Sequence, residues 1–382
     1  MKVAIVVQRY GLRIAGGAEY HARLIAEHMK KHWDVEVLTT DAEDYVRWRR
    51  GDFPKREVLN GIPVRRFRVE RERDTEKFGL LQRKIELEEH TPDDEEEWID
   101  QEGPYAPSLI DYIDKHRNDY DLFIFFSYRY YPSLRGIPRV REKAFLVPTA
   151  EHDPVLYFNL TRRLLRLPAG YLYNSWEEKE LIEGIHGVNI PNVVVGVGIE
   201  GRQVQGGKFS SYGPYMLYIG RIDRNKGAFR LFEYFKLYKS RHPGLKLLLV
   251  GKPVIEIPGD PDIIHLGFLP EQDKWEALAD ALFLVNPSHF ESLSMILLEA
   301  WSISKPVLVY AGCEVLKGQV QRSNGGLYFN DYFEFEEAIE ILRNQHELRK
   351  AMGEAGYKYY YDNYRWEVIE NKYLKLAKEV LG

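Results

Sequence analysis

Twice along this chain of 382 residues, short apolar runs of strand length alternate with amphipathic stretches of helix length. Residues 3–7 (VAIVV) form the first run, as expected of a strand buried on both faces. Gly16-Gly17-Ala18-Glu19 then opens a helix with apolar positions at Ala22, Leu24, Ile25 and Met29. Further strands are predicted at 35–38, 64–69, 122–126, 144–147 and 170–172, and Ser175 is placed to cap a helix carrying Glu177 and Glu178 in its first turn. A Gly/Gln/Lys-rich segment, 196–211, reads as a linker. After it the alternation resumes, with strands at 215–219, 245–250, 263–266, 281–285 and 306–309. Helices are expected at 227–241, 271–279, 292–303 and 333–344, and a last amphipathic stretch covers 366–380. Repeated βα alternation predicts two doubly wound α/β domains. The acid-rich stretch 86–103 reads as a solvated insertion.

Composition narrows the function. With 45% hydrophobic residues the chain can bury two cores. A net charge of −5 argues against a general nucleic-acid footprint. The single cysteine, Cys313, allows no internal disulfide, and no segment reads as a secretion signal, so a cytoplasmic protein is expected. Residues 47–73 hold nine arginines, only partly offset by Asp52, Glu57, Glu70 and Glu72. That stretch fits ordinary surface charge, or peripheral contact of a basic first domain with an anionic acceptor or the inner face of the cell membrane.

Open α/β sheets bind ligands at the carboxyl ends of their strands, and four stretches fall there. Gly16 and Gly17 permit close backbone approach to a phosphate, although G-x-G-x-x-G is absent and a tight turn explains them equally well. In Gly220-Arg-Ile-Asp-Arg-Asn-Lys-Gly227, Arg221 and Lys226 can reach one anion, which suggests a diphosphate; surface ion pairs are the plainer reading. His152, between Glu151 and Asp153, is either structural or placed to meet a sugar hydroxyl or carry a proton. The fourth stretch, 286–301, puts Glu291 at a helix N-terminus and Glu299 within the helix, roughly 12 Å along its axis. Glu299 needs a partner there, either a ribose diol or a buried ion pair. Asp260-Pro-Asp262 lies in a proline-rich loop and reads as a turn rather than a metal site.

In this order the pieces GGAE (16–19), EHD (151–153), NS (174–175), GRIDRNKG (220–227), LLLVGK (247–252), PSHFESLSMILLEAW (287–301), KPVL (305–308) and SNGGLYF (323–329) resemble family-4 glycosyltransferases of the GT-B fold. The resemblance covers nearly the whole chain. It implies two Rossmann-like domains facing a cleft: 1–200, on the acceptor side and joined by a C-terminal helix (365–382) crossing back to it, and 201–364, on the donor side. It implies a hexose-type sugar moved from a nucleoside-diphosphate sugar to an acceptor hydroxyl of a glycan, lipid-linked or small molecule, with retention and without a bound metal or other cofactor. Arg221 and Lys226, beside Gly220, would bind the donor diphosphate, and Glu299 the ribose. Glu291 and the backbone of Ser292, Leu293, Ser294 and Met295 would hold the transferred sugar. Gly17 would face the phosphates and His152 the sugar near the reacting carbon. Ser292 and Ser294 stand where many members carry glycine. A non-catalytic sugar-nucleotide or glycan-binding protein of the same fold is the alternative that this departure favours.

Overall fold

The apolar runs become two separate parallel sheets in the computed structural model, which describes residues 1–14 and 16–382. The chain divides into two units, Met1–Val197 with Ile369–Gly382, and Gly198–Val368.

In the first unit the strands are β1 (Lys2–Val6), β2 (Asp34–Thr40), β3 (Arg56–Leu59), β4 (Ile62–Phe67), β5 (Leu122–Phe126), β6 (Ala144–Val147), β7 (Gly170–Tyr173) and β8 (Asn192–Val194). Their order is β3-β4-β2-β1-β5-β6-β7-β8, and only the edge strand β3 runs antiparallel to its neighbour. β1 sits between β2 and β5, with Val3 beside both Val35 and Leu122. Helices α1 (Gly17–Met29), α2 (Thr75–Leu87), α3 (Pro92–Glu102), α4 (Pro107–Lys115), α5 (Tyr131–Gly136), α6 (Asn159–Leu164) and α7 (Trp176–His186) connect them. The Ser175 side chain accepts from the Glu178 N–H at 3.1 Å and caps α7, as its type predicts.

The second unit has an all-parallel sheet of β9 (Tyr215–Ile219), β10 (Lys246–Val250), β11 (Ile263–His265), β12 (Phe283–Asn286), β13 (Val307–Tyr310) and β14 (Gly326–Phe329), ordered β11-β10-β9-β12-β13-β14. Around it lie α8 (Ala228–Arg241), α9 (Glu271–Asp280), α10 (Met295–Ser302), α11 (Glu314–Ser323), α12 (Tyr332–Asn344) and α13 (His346–Asn363). A last helix, α14 (Trp366–Leu381), begins in this unit and ends in the first. In both sheets the strand order reverses beside the unit's first strand, at β1/β5 and at β9/β12. Those switch points open crevices at the carboxyl edges.

Two expectations are corrected. The acid-rich stretch is not a solvated insertion. It forms α3, whose N-terminus is closed by a capping box between Thr91 and Asp94, with Pro92 at the first position. One face of α3 is acidic and wet; the other buries Trp98 completely and brings the Glu95 carboxylate to the Asn159 and Leu160 N–H groups at 3.2 and 2.8 Å. Truncating Trp98 would cost about 3–5 kcal/mol. The second correction is to α10, which starts at Met295 rather than 292, because Ser294 is an extended N-cap residue.

Candidate functional site

In the second unit, the loops after β9 and β12 are locked together. Gly227 has φ +73°, and a Cβ there would overlap the Pro287 carbonyl oxygen. The His289 N–H donates to Asn225 O at 3.0 Å. This brings Lys226 to Glu291, Nζ to Oε1 at 2.8 Å, with both side chains half-buried. Asp223 organises the other end of the same loop. Its carboxylate accepts from the Lys226 backbone N–H at 2.8 Å and pairs with the Arg221 guanidinium. Gly220 has φ +151°, and a Cβ on Gly251 would overlap its carbonyl oxygen, so these two backbones touch.

The chain bends at Ser292 and is extended at Ser294, leading into α10, whose N-terminus has no side-chain cap. Its first N–H groups are therefore available to an anion. Ser294 is buried, and its Oγ accepts from Asn286 Nδ2 at 3.0 Å, so this hydroxyl serves the loop itself. Glu299 does have a partner, half-buried like itself: Lys274 of α9 approaches Oε2 at 2.8 Å. Burial pushes the Glu299 carboxyl above its ordinary range, and Lys274 holds it back. Burial pulls the Lys274 ammonium down, but Glu299 and Glu271 carry it above its usual value. Asp260 and Asp262 both lie on Lys239 Nζ, at 2.5 and 2.6 Å, which fits the turn read from their sequence.

In the first unit, Gly17 begins α1 just beyond β1, and a Cβ at Gly17 would meet open space. Glu19 of the same motif is buried against Arg9, with Oε1 2.9 Å from Nε and 2.6 Å from Nη2. The motif is thus fixed by an ion pair that its sequence does not reveal. His152 lies after β6, exposed, with Nε2 2.9 Å from Tyr157 Oη. Its neighbour Asp153 accepts from Tyr128 Oη at 2.9 Å and faces Arg129 at 3.3 Å. The loop carrying both is held by Glu178, whose carboxylate accepts from the Ala150 N–H at 2.6 Å and the Asn174 N–H at 2.5 Å. Burial pushes the Glu178 carboxyl up to about 8, against those hydrogen bonds.

The predicted cations Arg221 and Lys226, with Glu291, Ser292, Leu293, Ser294, Met295 and Glu299, thus gather at the carboxyl edge of one sheet. Gly17 and His152 lie at the carboxyl edge of the other. Sequence reasoning missed Asp223, Lys274 and Glu178. Their only signal was a charged residue beside or opposite a charged motif. The basic stretch 47–73 changes most. Buried Arg66 pairs with Glu57 and half-buried Arg73 with Glu102, and Arg49, Arg50, Arg65 and Arg71 face Asp44, Asp41, Glu36 and Asp100. Six of its nine arginines thus face carboxylates, while Arg47, Arg56 and Arg68 are exposed.

Residues 202–359 match the family described as glycosyl transferases group 1. Over 178 residues the chain is 27% identical to the capsular polysaccharide biosynthesis glycosyltransferase CapM of Staphylococcus aureus, a match covering 43% of this chain and 47% of that protein. The chain spans about half the length of the curated relatives it matches. Sucrose-phosphate synthase from Thermosynechococcus elongatus superposes with a TM-score of 0.70 at 16% identity, covering 99% of this chain and 98% of that one. HepE of Anabaena, solved in complex with UDP and glucose, gives 0.71 at 15% identity, covering 99% and 100%. The chain therefore has the GT-B architecture. The family match falls within its second unit, on the stretch where the motifs implied it.

Proposed function

We propose that this protein transfers a hexose-type sugar from a nucleoside-diphosphate sugar to an acceptor hydroxyl, with retention of configuration and without a bound metal. The observation that carries this reading is the convergence of Arg221, Lys226 and the uncapped N-terminus of α10 at the β9/β12 switch point. Three positive features around one crevice suit a diphosphate. In the proposed complex the diphosphate draws Arg221 from Asp223 and Lys226 from Glu291. Glu291 is then released to accept from sugar hydroxyls, and Glu299 from the ribose. As the bond between the anomeric carbon and the phosphate oxygen breaks, charge gathers on the phosphates where these donors already point. The acceptor hydroxyl attacks on the face that the phosphate leaves, and a phosphate oxygen takes its proton. His152 orients the sugar. The UDP and glucose held by HepE make a UDP-sugar the first donor to test. A cytoplasmic location and a carbohydrate or lipid-linked acceptor complete the reading.

Replacing Arg221 or Lys226 by alanine is expected to lower turnover by about 10²–10³ with the circular-dichroism spectrum unchanged. Near-normal turnover in both variants would remove the diphosphate assignment. No release of nucleoside diphosphate from any donor, with binding intact, would identify a binding protein instead. Turnover is expected to persist in excess chelator; loss restored only by added divalent metal would refute metal-free transfer.

A further inference from the structure

The first unit carries a cavity of about 350 Å³ that none of the motifs describes, between α3, the end of α5 and α6. Its floor is apolar, with Ile99, Leu134, Leu160 and Leu164. Its rim carries Arg135, Arg139 and Arg163, with the carboxylate Glu96 beside Arg135. Arg135 is held by Glu96 and by Asp100, the latter at 3.2 Å. Arg139 and Arg163 are exposed, and their side chains have no hydrogen bond or ion pair among the described residues. The two stretches that supply most of the lining, 135–143 and 159–167, contain seven cations and one carboxylate; the third wall, α3, is acidic, but its Glu96 and Asp100 are taken by Arg135. The one carboxylate of the two stretches, Glu142, is taken by Arg141 at 2.8 Å. This concentration contrasts with residues 47–73, where most arginines are already paired. In chain order both stretches run towards the amino ends of β6 and β7, whereas His152 follows the carboxyl end of β6. The cavity is therefore not part of the candidate transfer site.

An inorganic anion gains nothing from a leucine floor, and an uncharged apolar ligand gains nothing from two unpaired arginines. An apolar recess rimmed by cations matches a molecule with an acyl chain and a phosphate, presented at a surface. We propose that this face of the first unit docks on an anionic phospholipid surface. Headgroup phosphates meet Arg139 and Arg163, and the upper part of an acyl chain lies against the floor. The proposal goes beyond sugar transfer and stands whether or not that activity is found.

The test is co-sedimentation of the full chain with phosphatidylcholine vesicles, with and without phosphatidylglycerol. The full chain is expected to pellet only with the phosphatidylglycerol vesicles. The double variant Arg139→Glu/Arg163→Glu is expected to partition at least roughly 25-fold more weakly, about fivefold for each arginine's attraction lost and more for the repulsion each glutamate adds, with its circular-dichroism spectrum unchanged. Arg56→Glu/Arg68→Glu, elsewhere on the same unit, is expected to bind as the parent does. Leu167→Gln, which removes no charge from the cavity lining, is expected to weaken binding as well. The proposal is overturned if the parent fails to pellet or pellets equally with phosphatidylcholine alone. It is also overturned if the two arginine variants lose binding alike, if Leu167→Gln binds unchanged, or if glycerol phosphate releases the protein, which would assign the cavity to a soluble phosphate.

Discussion

At the scale of the residue, Glu299 is a carboxylate inside an otherwise apolar helix, and Lys274 makes it tolerable. An unpaired buried carboxylate is costly, and it lowers that cost by taking up a proton. Lys274→Met should therefore destabilise the second unit, by up to about 3 kcal/mol. It should also leave Glu299 more readily protonated, because burial already lifts its pKa and the opposing lysine is gone. Ionised Glu299 then becomes more abundant as pH rises, and the variant's affinity for a nucleoside diphosphate should rise with it. The parent should vary less over the same range, and Lys274→Arg should restore the parent profile. Calorimetric titration at several pH values checks this; identical profiles for parent and Lys274→Met would deny Lys274 a positioning role. The example also shows what was legible in the sequence. Arg221, Lys226, Glu291 and Glu299 stand out because each is charged and follows a buried strand. Lys274 lies on a different helix, 25 residues from Glu299, so only folding reveals the pairing.

At the scale of the element, strands were legible because parallel strands buried on both faces are uniformly apolar. The runs 122–126, 144–147 and 215–219 match β5, β6 and β9 residue for residue. The acidic stretch was misread because its composition hides a helix with one buried face, where Trp98 and Ile99 supply the apolar packing beside Glu95, Gln101 and Glu102. Helix α1 conceals something similar. Its His21 is 3% exposed, packs edge-on against Phe126 of β5 at 5.1 Å, and leaves Nε2 without a hydrogen bond among the described residues. Burial pulls its pKa down to about 3. A histidine depressed in the folded state contributes its full stability above its unfolded pKa. That stability is lost as pH falls from about 6.5 towards 3, at roughly 1.4 kcal/mol per pH unit. His21→Leu removes this group from the balance. Urea midpoints at pH 7 and pH 5.5 should fall less for the variant than for the parent; equal falls would show that His21 is not held neutral.

At the scale of the whole molecule, each unit has its own sheet and its own core. The chain leaves the first unit at Val197 and re-enters it at Ile369, through a single helix. The Trp366 ring fills the space that a side chain at Gly198 would take, whereas Glu370 meets Lys31 at 2.8 Å and His32 at 3.0 Å, and Tyr373 packs on Trp33. The sequence announced an amphipathic helix at 366–380 but not which residues belong to which core, because amphipathicity names a face and not its partner. That division has a measurable consequence. Two cores of this size are expected to unfold in two transitions. A nucleoside diphosphate bound at Arg221 and Lys226 should raise only the transition of the second unit, by about 2.7 kcal/mol at a hundredfold excess over Kd. Deleting 369–382 removes Glu370, Tyr373, Leu376 and Ala377 from the first unit and should lower only the other transition, leaving the nucleotide-dependent shift intact. Calorimetry of the parent and the truncated chain, each with and without UDP, separates the two effects. A single transition that responds to both changes would mean that the cores unfold as one and that the helix couples them.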